Sequence, residues 1–258
     1  MTGNSQRAFE LDFLRGFAIF MMVLMHFAWD VKYEFGVDTF GFLEAGWFWT
    51  FIHPLFLVIF VGVSGICCTF SHNNLTRGIR LAIVAVAMTL VTYIATVYIG
   101  INCLIIFNVI ALLALGMLIY VLISYIEQKT EAKPETVNAI MLCLGCFAAA
   151  IGSQLDFMDY DTNCRIFLPV GFSIRHLPQQ ADYLPIFPWI GIFLIGCVAG
   201  RVCYRTRESL FHNRSGMAKR IMQPFEFIGR HSLIIYLAHQ PIIYGILWVI
   251  FQLSGDMK

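Results

Sequence analysis

The chain has 258 residues, of which 59% are hydrophobic and only 13% are charged. Soluble domains carry about a quarter charged residues, so this composition excludes a soluble protein and indicates a polytopic membrane protein. The formal net charge is +1 and no basic tract is present, so we expect no nucleic-acid partner.

Seven apolar segments are long enough to cross a bilayer, which takes ~20 residues. They are 12–29, 48–70, 79–99, 102–125, 137–155, 184–203 and 227–253. Only the turn at residues 100–102 connects the third and fourth segments, which predicts a tight hairpin. The sequence contains no internal repeat and no soluble region. It therefore predicts an all-α, polytopic membrane helix bundle of about seven transmembrane helices, with residues 1–258 forming a single domain.

The distribution of basic residues predicts the orientation. Thirteen of the 17 Lys and Arg residues fall on the side of the membrane that holds the N-terminus. Because cytoplasmic loops carry the excess of Lys and Arg, the N-terminus is predicted to be cytoplasmic. The two longest loops, 30–47 and 156–183, then face outward and are acidic.

Three polar residues that are costly near hydrocarbon lie in the first apolar segment or directly after it: Arg15, His26 and Asp30. Arg15 and His26 are eleven positions apart, about 16 Å along a helix. His26 and Asp30 share a helix face, so the carboxylate can orient the imidazole and raise its basicity, as a general base requires. In the alternative, His26 is only packed against a neighbouring helix while Arg15 and Asp30 reach the two interfaces.

The third segment begins with two arginines, Arg77 and Arg80, three positions apart. Residues at this spacing lie on one helix face, where two guanidinium groups can grip phosphates. The alternative is that they are ordinary cytoplasmic arginines that follow the positive-inside rule.

Polar and aromatic residues also precede the sixth segment. Asp182 and Tyr183 come before Pro185 and Pro188, which fix the chain ahead of Trp189. A carboxylate beside aromatic faces suits a sugar or an amine. A helix-capping Asp182 with interfacial aromatic residues would give the same pattern.

Two further histidines lie in apolar segments. His53 opens the second segment with Pro54 and can face His26. His239 and Gln240 lie with the helix breaker Pro241 in the middle of the last segment, either as a structural kink or as a substrate contact. No Cys/His cluster has zinc spacing, so we expect no metal. The run GVSG, residues 62–65, lacks the context of a serine nucleophile and indicates close helix packing.

The spacing of Arg15 and His26, with ten residues between them, resembles the first helix of acyltransferase-3 integral-membrane acyltransferases. The longer run ELDFLRGFAIFMMVLMHFAWD looks most like the bacterial branch of the heparan-α-glucosaminide N-acetyltransferase catalytic-domain family. Three later segments carry the same likeness: LFLVIFVGVSG (55–65), DYLPIFPWIG (182–191) and GRHSLIIYLAHQP (229–241).

The resemblance implies a multi-pass acyltransferase of the cell inner (plasma) membrane. It would move acetyl from cytoplasmic acetyl-CoA, its donor substrate, to a hydroxyl or amine of an extracytoplasmic acceptor, a sugar or amino sugar. Arg77 and Arg80 would bind the CoA phosphates, and His26 would act as the base. Arg15 would bind donor phosphate or polarise the site. Membrane lipids are expected partners, and the family likeness also suggests a homo-oligomer.

The sequence departs from the lysosomal members of that family, which have Asn in place of His26 and a candidate acetyl-accepting His in the loop after the first helix. Residues 31–46 contain no His. Either transfer is direct with His26 as base, or His26 itself is acetylated. The competing class is a proton-coupled transporter or a non-catalytic lipid- or sugar-binding membrane protein. Transporters usually contain paired repeats, and we find none.

Overall fold

The computed structural model describes residues 8–100, 103–155, 161–162, 165–174, 182–211 and 215–254. Eight α-helices dominate these ranges: α1 (Phe9–Trp29), α2 (His53–Cys68), α3 (Asn74–Ile94), α4 (Val109–Thr130), α5 (Pro134–Leu155), α6 (Trp189–Cys203), α7 (Gly216–Arg230) and α8 (Ser232–Ser254). The shorter elements are π-helical turns at Asp30–Glu34, Phe48–Ile52 and Ala95–Ile99, 3-10 turns at Gly41–Glu44 and Arg165–Val170, and a parallel pair of two-residue strands, Asp161–Thr162 and Ser173–Ile174. The predicted all-α class is confirmed.

Six helical segments among the described residues are long and apolar enough to cross a membrane. They are Phe9–Glu34, Phe48–Cys68, Asn74–Ile99, Val109–Thr130, Pro134–Leu155 and Ser232–Ser254. The remaining predicted segment contains α6, which is apolar but has only 15 residues. The predicted number of about seven is therefore close, and the protein is a multi-pass membrane protein.

The predicted three-residue hairpin before the fourth span is wrong, because α4 starts later than expected. Helix α4 begins at Val109, where the Asn108 side chain accepts a hydrogen bond from the backbone N–H of Ala111 at 3.1 Å. Upstream, the backbone N–H of Ile105 donates to the Thr92 hydroxyl of α3 at 3.2 Å. These bonds hold residues 103–108 against α3 in a non-helical conformation, and residues 101–102 of the predicted hairpin lie outside the described residues.

The sixth predicted span also begins too early. Before α6, the backbone N–H of Leu184 donates to the carbonyl of Phe107 at 3.2 Å. Similarly, the N–H of Ile186 donates to the carbonyl of Pro169 at 2.6 Å. Because these backbone groups bond to distant segments, the helix can start only at Trp189.

The last predicted span, 227–253, includes the end of one helix and the whole apolar part of the next. Helix α7 ends at Arg230, and the N–H of His231 bonds to the carbonyls of Phe227 and Ile228 as the turn closes. Helix α8 then begins at Ser232.

The described helices group into two compact units. The first comprises residues 1–60 and 207–258, and the second comprises residues 61–206. Helices α1, α7 and α8 belong to the first unit and α3 to α6 belong to the second, while α2 begins in the first and ends in the second. A single functional domain over 1–258 stays a prediction.

In the first unit, α1 and α7 pack in opposite directions at very short range. A Cβ atom on Gly16 would collide with the backbone carbonyl of Phe225, and one on Gly229 would collide with that of Asp12. Arg230 also donates from Nε to the Asp12 carboxylate at 3.3 Å. Glycine at both positions allows the two backbones to approach, which holds α1 in a defined orientation.

The second unit uses the same device between α2 and α6. A Cβ atom on Gly65 would collide with the backbone carbonyl of Phe193, and one on Gly196 would collide with that of Gly62. Ser64, between the two α2 glycines, is buried. The run 62–65 is therefore a helix-packing surface, as the sequence predicted.

Candidate functional site

Two imidazoles from different apolar helices lie side by side in the first unit. The ring centroids of His26 on α1 and His239 on α8 are 5.0 Å apart, with the rings tilted by 51°. Nδ1 of His239 is 2.7 Å from the backbone carbonyl of Tyr236. A carbonyl oxygen can only accept, so Nδ1 carries a proton, and in the neutral ring Nε2 is then the basic nitrogen.

Asp30, which follows α1, is bound by α8 rather than by His26. Its side chain is fully buried, and both carboxylate oxygens accept from Nε2 of Gln240 at 3.0 Å. Among the described residues, no hydrogen bond joins Asp30 to the His26 imidazole. The expected Asp30–His26 hydrogen bond is not formed; Asp30 is bonded instead to Gln240, which reaches it from a different helix.

His53 opens α2 and is a further histidine of the first unit. It is half-buried, and its ring centroid lies 5.1 Å from that of Trp49. His53 directly follows the π-helical turn Phe48–Ile52, and Asp30 begins the π-helical turn Asp30–Glu34. Such turns redirect side chains and are frequent at functional sites.

Arg15 lies near the start of α1, about 16 Å from His26 along the helix axis. Its Nε atom is buried and forms no hydrogen bond within the described part of the chain. The neighbouring carboxylates bind other groups: Asp12 binds Arg230, and Glu10 accepts from the Ser209 hydroxyl at 2.7 Å. Arg15 thus retains hydrogen-bonding capacity for an anion.

Arg77 and Arg80 lie in the first two turns of α3, in the second unit. Arg77 is half-buried and Arg80 is exposed. Neither forms an ion pair with any residue that the structure describes. Two such guanidinium groups at a helix N-terminus, where the helix dipole is positive, are suited to phosphate.

Three of the residues predicted for acceptor binding, Asp182, Tyr183 and Trp189, lie just before α6 or at its start and are half-buried. Asp182 has a left-handed backbone with φ of 53°. The Tyr183 hydroxyl donates to the backbone carbonyl of Leu168, so its donor is engaged while the ring is only partly covered. Trp189 is the first residue of α6.

The structure thus assigns the predicted residues to two separate groups. His26, Asp30, His53 and His239 belong to the first unit with Arg15. The arginine pair and the residues before α6 belong to the second unit. Within the described ranges, no group of three or more His, Cys, Asp or Glu side chains is arranged to hold a metal ion.

The comparison with protein families decides the class. Residues 7–241 match the family described as heparan-alpha-glucosaminide N-acetyltransferase, catalytic. The chain belongs to this family. No curated protein and no solved structure gave a match. With its apolar helices, the family membership makes the protein a membrane acetyltransferase.

The acetyltransferase also contains a polar contact in its first unit that the sequence prediction did not include. The sequence places Gln240 beside His239 and predicts no partner for it. The local signal was an amide in the middle of an apolar segment, which must find a hydrogen-bonding partner there. Only the packing of α8 against the end of α1 identifies that partner as Asp30.

A second unpredicted contact in the acetyltransferase joins α4 and α6. Arg201 donates to both carboxylate oxygens of Glu127, from one guanidinium nitrogen at 2.8 Å and from the other at 2.5 Å. By sequence alone, Arg201 is only one of the thirteen basic residues on the N-terminal side of the membrane. Its partner is 74 positions away, so no local pattern indicated the pair.

Proposed function

We propose that this membrane acetyltransferase transfers acetyl from cytoplasmic acetyl-CoA to a hydroxyl or amine of an extracytoplasmic sugar or amino sugar. The observation that carries the proposal is the close approach of His26 and His239 between two apolar helices. Ionisable residues are rare inside membrane-spanning segments, and those that occur there commonly mark functional sites. The family membership supplies the reaction type.

In the proposed step, neutral His26 takes the proton from the acceptor O–H or N–H as the acceptor atom attacks the thioester carbonyl. A carbon–oxygen or carbon–nitrogen bond forms and the carbon–sulfur bond of acetyl-CoA breaks. The imidazolium then returns the proton to the CoA thiolate, so CoA leaves as a free thiol. Asp30 acts indirectly, through Gln240 and α8, rather than by contact with His26.

The donor phosphates are assigned to Arg77 and Arg80, with Arg15 as a further anion contact. Arg77 and Arg80 form no ion pair with a described residue, and Nε of Arg15 forms no hydrogen bond there, which supports this assignment. Bidentate guanidinium contacts are favourable for phosphate oxygens.

The acceptor is assigned to Asp182, Tyr183 and Trp189, with His53 and His239 as additional contacts. Partly covered aromatic rings beside a carboxylate are suited to the apolar face and polar rim of a sugar. Transfer of this kind requires no metal. Membrane lipids surround the helices, and a homo-oligomer is a further prediction from the family.

The proposed direction of transfer depends on the orientation of the chain in the inner (plasma) membrane. The excess of basic residues on the N-terminal side supports a cytoplasmic N-terminus. Single cysteines introduced in a cysteine-free background should be labelled from outside in loops 30–47 and 156–183, and from inside in 201–224. Labelling of 156–183 from the cytoplasm would reverse the proposed direction.

The activity test uses purified protein with acetyl-CoA and a panel of amino sugars and neutral sugars. Release of free thiol that requires both the protein and a sugar is the expected result. Mass spectrometry after incubation with acetyl-CoA alone separates the two mechanisms. Acetyl-His26 would indicate a covalent relay, and unmodified protein that still transfers acetyl would indicate direct attack.

The buried Asp30 carboxylate supports the alternative of a proton-coupled transporter, since intramembrane carboxylates also serve proton relays. The same protein in sealed vesicles would then take up a sugar in response to a proton gradient. Sugar uptake without thiol release would favour this alternative over the acetyltransferase.

A further inference from the structure

Gln240 has two ends with different chemistry, and only one has a partner. A carboxylate can only accept, so the NH₂ end of the amide must face Asp30. The opposite end, Oε1, is buried and forms no hydrogen bond to any described residue. Asp30 therefore fixes which way the amide points and leaves a carbonyl oxygen directed elsewhere.

A buried acceptor without a donor is unfavourable and is rare in folded proteins. The position of Gln240 indicates where the donor comes from. Gln240 follows His239, whose ring lies 5.0 Å from that of His26. Asp30, its amide partner, is one helical turn beyond His26. Because Gln240 contacts a residue one turn from His26 and follows a histidine beside it, a molecule bound at the proposed base is a source for that donor.

We infer that Oε1 of Gln240 accepts a hydrogen bond from an O–H or N–H group of the acceptor substrate, other than the group that is acetylated. This inference rests on the proposed function and adds a specificity-determining contact to it. Asp30 is the positioning residue, because its charge holds the Gln240 amide in the orientation that presents Oε1.

The test pairs an enzyme variant with altered substrates. Gln240→Met keeps the length of the side chain and removes both hydrogen-bonding ends. The probes are D-glucosamine and its 3-deoxy, 4-deoxy and 6-deoxy analogues, assayed by thiol release. Gln223→Met on α7, whose side chain is exposed, is the matched control.

We expect Gln240→Met to raise the KM for glucosamine about three- to tenfold, the worth of one hydrogen bond, and to leave the KM for acetyl-CoA unchanged. With the wild-type protein, one deoxy analogue should show the same rise in KM relative to glucosamine. With Gln240→Met, removing that hydroxyl should raise the KM no further. Gln223→Met should behave as wild type with every probe.

Asp30→Asn provides an independent readout. With an amide at position 30, the Gln240 amide can turn over and present NH₂ instead of Oε1. The preference for the sensitive hydroxyl should then fall, although Gln240 is still present. If Gln240→Met does not fold because Asp30 loses its amide partner, the double variant Asp30→Asn/Gln240→Met removes the stranded charge and takes its place.

Three results would overturn the inference. In the first, each deoxy analogue changes the KM by the same factor with the wild-type protein and with Gln240→Met. In the second, the KM for acetyl-CoA rises instead, which would place the donor group on the pantetheine arm. Either of these two results refutes only the contact with Gln240, provided that the wild-type protein transfers acetyl and His26→Gln does not. The proposed function would then still stand. In the third, wild type acetylates none of the panel, and the proposed function falls with it.

Discussion

Two carboxylates within apolar helical segments, Asp30 in the first unit and Glu127 in the second, have partners of opposite kinds. Glu127 forms a bidentate ion pair with Arg201, and the two side chains are only 17% and 15% exposed. Asp30 is fully buried and accepts from the neutral amide of Gln240. One pair balances its charge and the other does not.

The difference separates structure from function. In the Glu127–Arg201 pair, the charge and the carboxylate oxygens are compensated within the protein, so the pair can join α4 to α6 without any ligand. In the Asp30–Gln240 pair, the negative charge has no cationic partner among the described residues, and the carbonyl oxygen of Gln240 has no hydrogen-bond donor there. Incomplete polar groups of this kind are expected where a substrate completes them.

The largest effect is expected when the proposed base of the first unit, His26, is replaced. His26→Gln should still bind acetyl-CoA and should lose transfer by ~10²–10⁴-fold, the usual worth of a general base. The measurement is thiol release with the best sugar of the panel, beside acetyl-CoA binding by calorimetry.

His231→Gln is the matched control, because His231 is exposed and its Nδ1 bonds only locally to the Phe227 carbonyl. It should keep wild-type activity. Full activity of His26→Gln would contradict the proposal that His26 is the base and would leave it with a structural role only.

Changes to the Glu127–Arg201 pair should lower the stability of the protein and leave its catalytic activity unchanged. Glu127→Gln leaves Arg201 buried without its counter-charge, which should lower the free energy of unfolding by about 3–5 kcal/mol. Replacing both residues, Glu127→Leu with Arg201→Met, should recover most of that loss. Thermal unfolding in detergent measures both effects.

Transfer per folded molecule should stay at the wild-type level in Glu127→Gln. A specific loss of turnover without a loss of stability would place this pair in the catalytic machinery and remove the distinction.

The arginines at the start of α3 test the donor site in the second unit. Arg77→Ala and Arg80→Ala should each weaken acetyl-CoA binding about tenfold, since each removes a charge-assisted contact. Lys at either position should restore only part, because it lacks the planar fork. Lys129→Ala at the end of α4 is the control for loss of one exposed positive charge, and unchanged binding in Arg77→Ala/Arg80→Ala would move the donor site elsewhere.

The smallest effect is expected for Asp30→Asn, which can be compared directly with Glu127→Gln in the other pair. The amide of Gln240 can still bond to the side-chain carbonyl of the introduced asparagine, and no cation is left unpaired, so stability should change by less than about 1.5 kcal/mol. Turnover should fall less than in His26→Gln, since His26 itself is intact. A loss of stability as large as that of Glu127→Gln would mean that Asp30 has a cationic partner in the folded protein.

The sequence alone determined the class, the approximate number of spans and the family. Spanning requires a certain length of apolar chain, which is a property of each segment by itself. The glycines of the 62–65 run also indicated helix packing, because the absence of a side chain is visible without knowing the neighbour. Helix starts such as the one after Asn108 were readable in principle from the capping residue, but the long apolar run concealed it.

Only the tertiary structure decided which polar groups meet. Asp30 and Gln240 are 210 positions apart, and Glu127 and Arg201 are 74 apart. Sequence spacing favoured Asp30 with His26 because the two share a helix face, yet the hydrogen-bond partner of Asp30 is the Gln240 amide of α8. The partner of a buried polar side chain depends on which helices lie side by side, and apolar length, which predicts the helices, contains no information about their neighbours.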